Sequence, residues 1–408
     1  MNKNTRGIRL YLVILALSAV ALGLSDGVFA NYFKDAYGIG ALERGLIEFP
    51  RELPGVLCIV LVSVLGFLGD IRLAIIAQIL SAIGITILGL CTPEFSVMLL
   101  FLFINSLGMH LFFPLQDSIA MSIIGDEAIG KQMGTFKGVS TAFTMIASVF
   151  VFIGFRTGFF SFKTTVKPIF IISGILFVML AGLLAMMYQL GKESPKKDKK
   201  LKLIFRKEYK YYYILAIMNG VQKQIMVVFG PWVLIDLLGQ QADTLAIISI
   251  IGSFLGIFFI PTLGKWIDHY GVRKMLFLDA LSFIGVYAVY GLISGGLTSG
   301  ILPKAGLSVG LIMAVLIIDK MSMQMGIIRT VYLRSVAFSK EEMTQTLSLG
   351  ISMDHIVSII CASIGGLIWD RMGAQYIFFF AAALSLVNLY VAFRVEPKQQ
   401  DVFIGLEK

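Results

Sequence analysis

The sequence predicts an all-α integral membrane protein with twelve transmembrane helices in two six-helix bundles. Of its 408 residues, 57% are hydrophobic and only 14% are charged, and a water-soluble protein cannot cover such a composition with polar surface. Apolar windows of about 20 residues, long enough to cross a bilayer, recur twelve times along the chain. A basic run, Lys192–Lys210, separates the first six windows from the last six.

The twelve spans are read from hydropathy in chain order. They are expected near residues 10–33, 45–68, 73–91, 96–120, 136–155 and 168–190, and then near 211–238, 243–263, 274–295, 306–328, 345–368 and 374–394. The first span is too long for a cleaved signal peptide, and no small-residue cleavage site ends it, so we expect a retained helix. The predicted organisation is an N-terminal bundle (1–190), a basic cytoplasmic linker (191–210) and a C-terminal bundle with a short cytoplasmic tail (211–408).

The charge distribution predicts the orientation in the membrane. The net charge is +9, which by itself could indicate a nucleic-acid partner. With residue 1 in the cytoplasm, however, most of the 34 Lys and Arg fall in cytoplasmic segments, as in membrane proteins that follow the positive-inside rule. We therefore expect no nucleic-acid partner, a multi-pass protein in the lipid bilayer of the cell (plasma or inner) membrane, and both termini in the cytoplasm.

Several motifs of other protein classes are missing from the sequence. No Gly-Lys-Ser/Thr phosphate loop indicates nucleotide hydrolysis, and no nucleophile elbow or zinc-protease pattern indicates an enzyme. The chain has only 3 His and 3 Cys, so we expect no metal site and no cofactor. Cys58, Cys91 and Cys361 lie in or beside apolar spans, which is typical of small buried side chains rather than of disulfides.

Ionisable residues inside the apolar spans are the first indication of function. Lys223, Asp319, Lys320, Asp354 and His355 lie about 10 to 14 residues from the ends of their spans, or roughly 15 to 20 Å from either membrane face. A charge at that depth costs about 2.5 to 3.5 kcal/mol on insertion scales. We therefore expect these side chains to face a polar interior rather than lipid.

A repeated loop connects the two halves of the sequence. Gly66-Phe-Leu-Gly-Asp70-Ile-Arg72 follows the second span, and Gly264-Lys-Trp-Ile-Asp268-His-Tyr-Gly271-Val-Arg273-Lys274 follows the eighth. The second copy resembles the G-x-x-x-D-x-x-G-x-R-K signature loop of the major facilitator superfamily, and the twelve-span plan with its basic central loop extends the resemblance across nearly the whole chain. The first copy keeps Asp70 and Arg72 but lacks the second Gly and the paired basic residues.

The resemblance implies a role for each ionisable residue. In that family, spans 1, 4, 7 and 10 line a central cavity. The residues of this chain on those spans are the substrate-binding candidates: Asp26, His110, Asn219, Gln222, Lys223, Gln224, Asp319 and Lys320. A midmembrane carboxyl group or His can carry a proton in a coupled transporter. Asp354, His355 and Asp319 are therefore the coupling-ion candidates.

Other charged residues are gating candidates. The resemblance implies that the signature loops, with Asp70, Arg72, Asp268, Arg273 and Lys274, steady one conformation of the gate, although such a loop can also be only a turn. Glu48, Arg51 and Glu52 lie at i, i+3 and i+4, so they share one helix face and can form an ion network, with Asp26 at the same depth. Asp117 and Asp279 are expected to support the gate. A third similar loop, Gly365–Gly373, is interpreted as a tight outer hairpin.

The function indicated is secondary active transport by a monomer. The expected substrate is a small polar, zwitterionic or anionic solute, moved by alternating access and coupled to a proton or sodium gradient. Two alternatives stay open: a proton-coupled exporter of amphipathic drugs or lipids, and a non-transporting receptor or assembly partner. A buried Lys needs a carboxylate or an anionic ligand to stay charged. For Lys223 the sequence leaves Asp319, Asp354 and a substrate as partners.

Overall fold

A computed structural model describes residues 3–123, 129–191 and 206–395 of the chain. Over these ranges the regular structure is helical and contains no β-strand. Most of the predicted basic linker falls on residues 192–205, and the predicted tail falls on residues 396–408, so both lie outside the described residues. The Cα positions group into two compact units, residues 1–200 with 239–257 and residues 201–238 with 258–408.

Unit 1 contains the first eight α-helices. They are α1 (Lys3–Ser25), α2 (Phe29–Tyr37), α3 (Ala41–Leu46), α4 (Glu48–Leu65), α5 (Asp70–Leu90), α6 (Phe95–Ile123), α7 (Ile129–Arg156) and α8 (Pro168–Gln189). A 3-10 turn, Asp26–Val28, joins α1 to α2, so the two helices form one continuous span.

Unit 2 contains most of the second half of the chain. Its helices are α9 (Lys210–Trp232), the later part of α10 (Ala242–Thr298), α11 (Leu307–Gln324), α12 (Ile327–Val336), α13 (Lys340–Met372) and α14 (Ala374–Arg394). Gly271 breaks α10 into two arms because its φ and ψ angles are not helical. The first arm begins among the residues grouped with unit 1.

The membrane-spanning helices match the hydropathy prediction closely. Eleven helical stretches of the described chain are long and apolar enough to cross a bilayer, and each coincides with a predicted span. The remaining predicted span, 45–68, is α4, which carries Glu48, Arg51 and Glu52 within 18 residues. This confirms the predicted all-α membrane fold, and α4, the second span in chain order, completes the twelve.

Small side chains set the distance between helices in unit 1. A Cβ atom added to Gly84 of α5 would lie 2.5 Å from the backbone nitrogen of Asn105 in α6. The Asn105 side chain then donates from Nδ2 to the carbonyl of Ser81 at 3.0 Å. Since lipid offers no hydrophobic force between helices, close packing and interhelical hydrogen bonds of this kind hold the unit together.

Both signature loops turn on a glycine of the same backbone conformation. Gly69 has φ 81° and ψ 156°, and Gly271 has φ 78° and ψ 157°. This region of φ/ψ space is essentially restricted to glycine. Gly69 therefore takes the place of the second glycine that seemed to be missing from the first loop. Gly373, with φ 116° and ψ 158°, makes a one-residue turn between α13 and α14, as expected of a tight hairpin.

Replacing Gly271 by Ala should therefore destabilise the fold. We expect Gly271→Ala to cost about 1–3 kcal/mol, since the backbone must change or hold a strained conformation. The measurement is the thermal unfolding midpoint of the purified protein in detergent. Gly264→Ala is the matched control in the same loop, because an added Cβ at Gly264 meets nothing within 4 Å. Equal midpoints for the two variants would contradict the assignment.

A cluster of four side chains fixes the start of α13 in unit 2. Ser339 caps the helix by accepting the N–H of Glu342 at 3.1 Å. The Glu342 carboxylate accepts hydrogen bonds from Arg206 at 2.6 Å and from the Tyr209 hydroxyl at 2.6 Å. The hydrogen bond from Arg206, followed by that from Tyr209, lowers the pKa of Glu342 below its usual value.

This shift predicts a pH dependence of stability. A lowered pKa in the folded state stabilises the protein above the unfolded-state pKa, about 4.3 for Glu, and this contribution is lost as the pH falls through the folded pKa. Glu342→Gln should therefore unfold at a lower temperature than wild type at neutral pH. The difference should shrink below about pH 4. Thermal unfolding across pH tests this, and a constant difference would argue against it.

Candidate functional site

Lys223 and Asp354 form an ion pair within unit 2. Lys223 lies on α9 and its Nζ donates to Oδ2 of Asp354 on α13. The two side chains are 25% and 13% exposed, respectively, so the pair is largely but not completely desolvated. A Cβ added to Gly220, one turn earlier on α9, would lie 2.8 Å from the Asp354 carbonyl oxygen. Glycine at this position lets α9 and α13 approach closely enough for the pair to form.

Asn219 and Arg329 extend the pair into a four-residue network. The Asn219 side chain donates from Nδ2 to Oδ1 of Asp354 at 3.3 Å. Its Oδ1 accepts a hydrogen bond from Nη2 of Arg329 on α12 at 2.6 Å. The network joins two cations and one carboxylate through a neutral amide. We call Lys223, Asp354, Asn219 and Arg329 the charged network of unit 2.

The two glutamines beside Lys223 have different surroundings. Gln222 is buried and faces α14, where it donates to the Ser385 hydroxyl at 2.7 Å and accepts from Asn388 at 3.1 Å. Gln224 is also fully buried. Both were substrate-binding candidates, but buried amides cannot contact a solute without repacking the helices. The geometry therefore favours Lys223 and Asn219 alone among the polar residues of this stretch.

Asp319 does not hydrogen bond to Lys223, although it was one of the expected partners. It lies on α11 with 5% of its surface exposed, and its Oδ1 has no hydrogen-bond partner among the described residues. Lys320, the next residue, is exposed. The two neighbours thus point into different environments, as the 100° step of a helix requires. His355, next to Asp354, is half-buried.

Unit 1 contains a second set of ion pairs. Arg51 on α4 donates to Asp26 at 2.6 Å and to Glu48 at 2.8 Å, and Glu48 also accepts from Arg44 on α3 at 2.5 Å. Arg44 and Glu48 are only 2% and 1% exposed, whereas Asp26 is 49% exposed. The sequence predicted a network of Glu48, Arg51 and Glu52 with Asp26 at the same depth; Arg51 pairs with Glu48 and Asp26 and interacts electrostatically with Glu52. Its inner members are closed to solvent.

The predicted His110 site connects to the same network. Nδ1 of His110 on α6 lies 2.9 Å from the Ser106 carbonyl oxygen and 3.1 Å from the Ser106 hydroxyl. The hydroxyl donates to the carbonyl of Arg51 at 2.5 Å. His110 is thus held by its own helix, in a contact that orients the ring. Cys58 donates to the His110 carbonyl, and Cys91 is exposed rather than buried as expected.

The signature-loop residues make few contacts. In the first loop, Asp70 accepts a hydrogen bond from Ser118 of α6, and the Arg72 guanidinium lies 4.7 Å from the ring centre of Tyr188. In the second, Arg273 donates to the carbonyl of Phe393 at the end of α14, at 2.8 Å. Of the other candidates, Asp268 and Lys274 of the second loop and Asp117 of α6 are exposed, whereas Asp279 of α10 is buried. Their gating roles stay predictions.

Comparison with known proteins decides the family. The Major Facilitator Superfamily model matches residues 11–334 of the chain. The chain belongs to the major facilitator superfamily. No curated protein matches the sequence.

Solved transporters of this superfamily share the fold of the chain. The nucleoside transporter NupG has a TM-score of 0.75 at 14% identity and covers 97% of this chain and 99% of its own. A D-xylose–proton symporter has a TM-score of 0.72 at 13% identity, with 96% and 99% covered. A POT family transporter in complex with a thioalcohol-conjugated peptide has a TM-score of 0.75 at 12% identity, with 95% and 96% covered. Identities this low establish a transporter fold, not a substrate.

Two residues of these networks were not predicted from the sequence. Arg44 lies four residues before Glu48, so the i, i+4 spacing could have identified it. The predicted end of span 10 lies just before Arg329, because the hydropathy of the sequence falls there. In the structure the span continues through α12 to Val336 after a short break at Met325–Gly326.

A double-mutant cycle tests the ion pair. Lys223→Gln and Asp354→Asn should each destabilise the protein by about 1–3 kcal/mol, since each leaves a largely buried charge without its partner. The double variant should cost less than the sum, because neither charge is then unpaired. Thermal unfolding in detergent gives the coupling. The same cycle at Arg206 and Glu342, where the arginine is 45% exposed, should give a smaller coupling. Strict additivity at Lys223 and Asp354 would contradict the pairing.

Proposed function

We propose that this transporter moves a small polar, zwitterionic or anionic solute across the cell membrane by alternating access, coupled to an ion gradient. The Lys223–Asp354 pair carries the proposal. Among the described residues of unit 2, this ion pair lies inside membrane-spanning helices and is still partly exposed. An ion pair in that setting can exchange its partner for a charged group of a solute.

Charge balance connects solute binding to proton binding. An anionic group of the solute that pairs with Lys223 leaves Asp354 as an unpaired, largely buried carboxylate, which is costly. A proton on Asp354 removes that charge. Solute anion and proton therefore bind together more favourably than either one alone, which is the requirement for coupled transport. One proton is therefore carried for each anionic group that binds at Lys223.

The surroundings of Asp354 favour a proton over sodium as the coupling ion. Hard cations require several oxygen ligands. The groups bonded to the Asp354 carboxylate are the Lys223 ammonium and the Asn219 amide nitrogen, both of which are donors. The Asn219 oxygen is directed at Arg329 instead. A proton needs no further ligands, so this geometry suits proton coupling.

Unit 1 offers a further contact for a solute. Asp26 is about half exposed, while its partner Arg51 stays fixed by Glu48. We assign Asp26 to the entrance region and the inner pairs Arg44–Glu48 and Arg51–Glu48 to a fixed scaffold. The positive-inside bias supports cytoplasmic termini, and the chain is proposed to act as a monomer.

Transport in proteoliposomes tests the proposal. A panel of labelled solutes should include a nucleoside, D-xylose, a dipeptide, an amino acid and a monocarboxylate, the first three because the similar structures are transporters of, or complexes with, such compounds. Wild type should accumulate one charged or zwitterionic member under an inward proton gradient. Asp354→Asn should reduce accumulation at least tenfold. It should retain exchange of solute between the two sides, since the neutral amide imitates a protonated carboxyl group. Lys223→Ala should lose both activities.

The controls are exposed residues of the same charge. Asp370→Asn at the end of α13 and Lys304→Ala in the loop before α11 should transport as wild type does. Undiminished gradient-driven uptake by Lys223→Ala and Asp354→Asn would refute the site. Gradient-independent transport of hydrophobic cations alone would favour the drug-exporter alternative.

A further inference from the structure

Asp279 is a buried acid without a protein partner. It lies on the second arm of α10 with none of its surface exposed, and neither carboxylate oxygen has a hydrogen-bond partner among the described residues. The other fully buried acid, Glu48 of unit 1, accepts hydrogen bonds from two arginines. An isolated carboxylate in such a place costs several kcal/mol. A carboxyl group in this setting is stable when it holds a proton.

One cation on another helix influences the charge of Asp279. Arg329 on α12 interacts electrostatically with Asp279. The Arg329 side chain is 8% exposed, and its Nη1 has no hydrogen-bond partner among the residues that the structure describes. Its Nη2 is engaged by Asn219. Arg329 thus has one donor committed to the charged network of unit 2 and another that faces no acceptor.

The other titratable groups around Asp279 do not satisfy it. Tyr287, on the same arm of α10, interacts electrostatically with both Asp279 and Asp319, but its hydroxyl donates to the carbonyl of Gln222 at 2.8 Å. Asp319 on α11 is an acid itself. From α9, Tyr212 interacts with Arg329 and Asp354. Arg329 is therefore the group that can respond to a charge on Asp279.

The position of the Arg329 guanidinium depends on a glycine. A Cβ atom added to Gly326, at the break between α11 and α12, would lie 2.5 Å from Nη2 of Arg329. The guanidinium therefore lies directly over a glycine, at the point where the helix is interrupted. A side chain at position 326 would push the guanidinium away from Asn219.

We propose that Asp279 is a proton-binding site of unit 2, separate from Asp354, and that loss of its proton draws Arg329 away from Asn219. The proton is exchanged with water, and the carboxylate that forms is neutralised by Arg329. Asn219 then no longer accepts a hydrogen bond from Arg329, and its own hydrogen bond to Asp354 becomes weaker. The second step, from Asn219 to Asp354, rests on the transport function proposed above. The proton site itself does not.

Infrared spectroscopy of the purified protein tests the site without any substrate or transport. A protonated carboxyl group buried in protein gives a carbonyl stretch that a carboxylate lacks. Wild type should show this band at about pH 5 and lose it as the pH rises, and Asp279→Asn should lose one component of it. Asp319→Asn should remove a different component, and Asp370→Asn, an exposed acid, should remove none. A spectrum of Asp279→Asn identical to that of wild type between about pH 5 and pH 8 overturns the proposal.

A second variant leaves Asp279 in place, in case its replacement prevents folding. Arg329→Gln removes the cation that stabilises the carboxylate, so the Asp279 band should persist to higher pH than in wild type. Gly326→Ala should shift the loss of the band to lower pH instead, because a guanidinium displaced from Asn219 is free to stabilise the Asp279 carboxylate. If neither variant moves the band, Arg329 does not respond to Asp279 and the proposed link is wrong. If the protein shows these spectral changes but no detectable uptake, the transport proposal alone is refuted.

Discussion

The free-energy cost of an unpaired charge inside an apolar helical bundle constrains every ionisable residue within these helices. In unit 1 the constraint is met by two arginines and two carboxylates that alternate from Arg44 through Glu48 and Arg51 to Asp26. In unit 2 it is met by Lys223 and Asp354, with Asn219 and Arg329 attached. Because a salt bridge between desolvated groups stabilises little by itself, while removal of one partner is costly, these pairs restrict which helices can contact each other more than they add to the free energy of folding.

The backbone is built around the same constraint. A short ion pair between two helices requires their axes to approach closely, and Gly220 removes the side chain that would keep α9 from α13 at the level of Asp354. The turns at Gly69 and Gly271 have almost identical backbone angles, although the sequences around them have diverged. The repeated element is thus the conformation of the turn, whereas the charged residues that follow it have different partners, Tyr188 for Arg72 and the Phe393 carbonyl for Arg273.

Hydropathy and spacing predicted the features of this protein that depend on local sequence. The twelve spans and the i, i+3 contact between Glu48 and Arg51 are of this kind, since composition and helix geometry determine them. The partner of Lys223 could not be predicted, because Asp319 and Asp354 lie at similar depth and only the rotation of each helix about its axis selects one. That rotation is set by packing between distant segments. Arg329 was missed since a charged residue lowers the local hydropathy that defined the end of its span.

The chemistry of Asn219 determines how it connects Arg329 to Asp354. An arginine offers only donors and a carboxylate only acceptors, so Asn219, placed between Arg329 and Asp354, must direct its oxygen at the former and its nitrogen at the latter. Oδ1 of Asp354 therefore faces an amide N–H and cannot also carry a proton directed at Asn219. The remaining oxygen, Oδ2, is the one bonded to Lys223. In the proposed coupling, a proton on Asp354 weakens the attraction between its carboxyl group and the Lys223 ammonium, and an anionic solute is the group that would then receive Lys223.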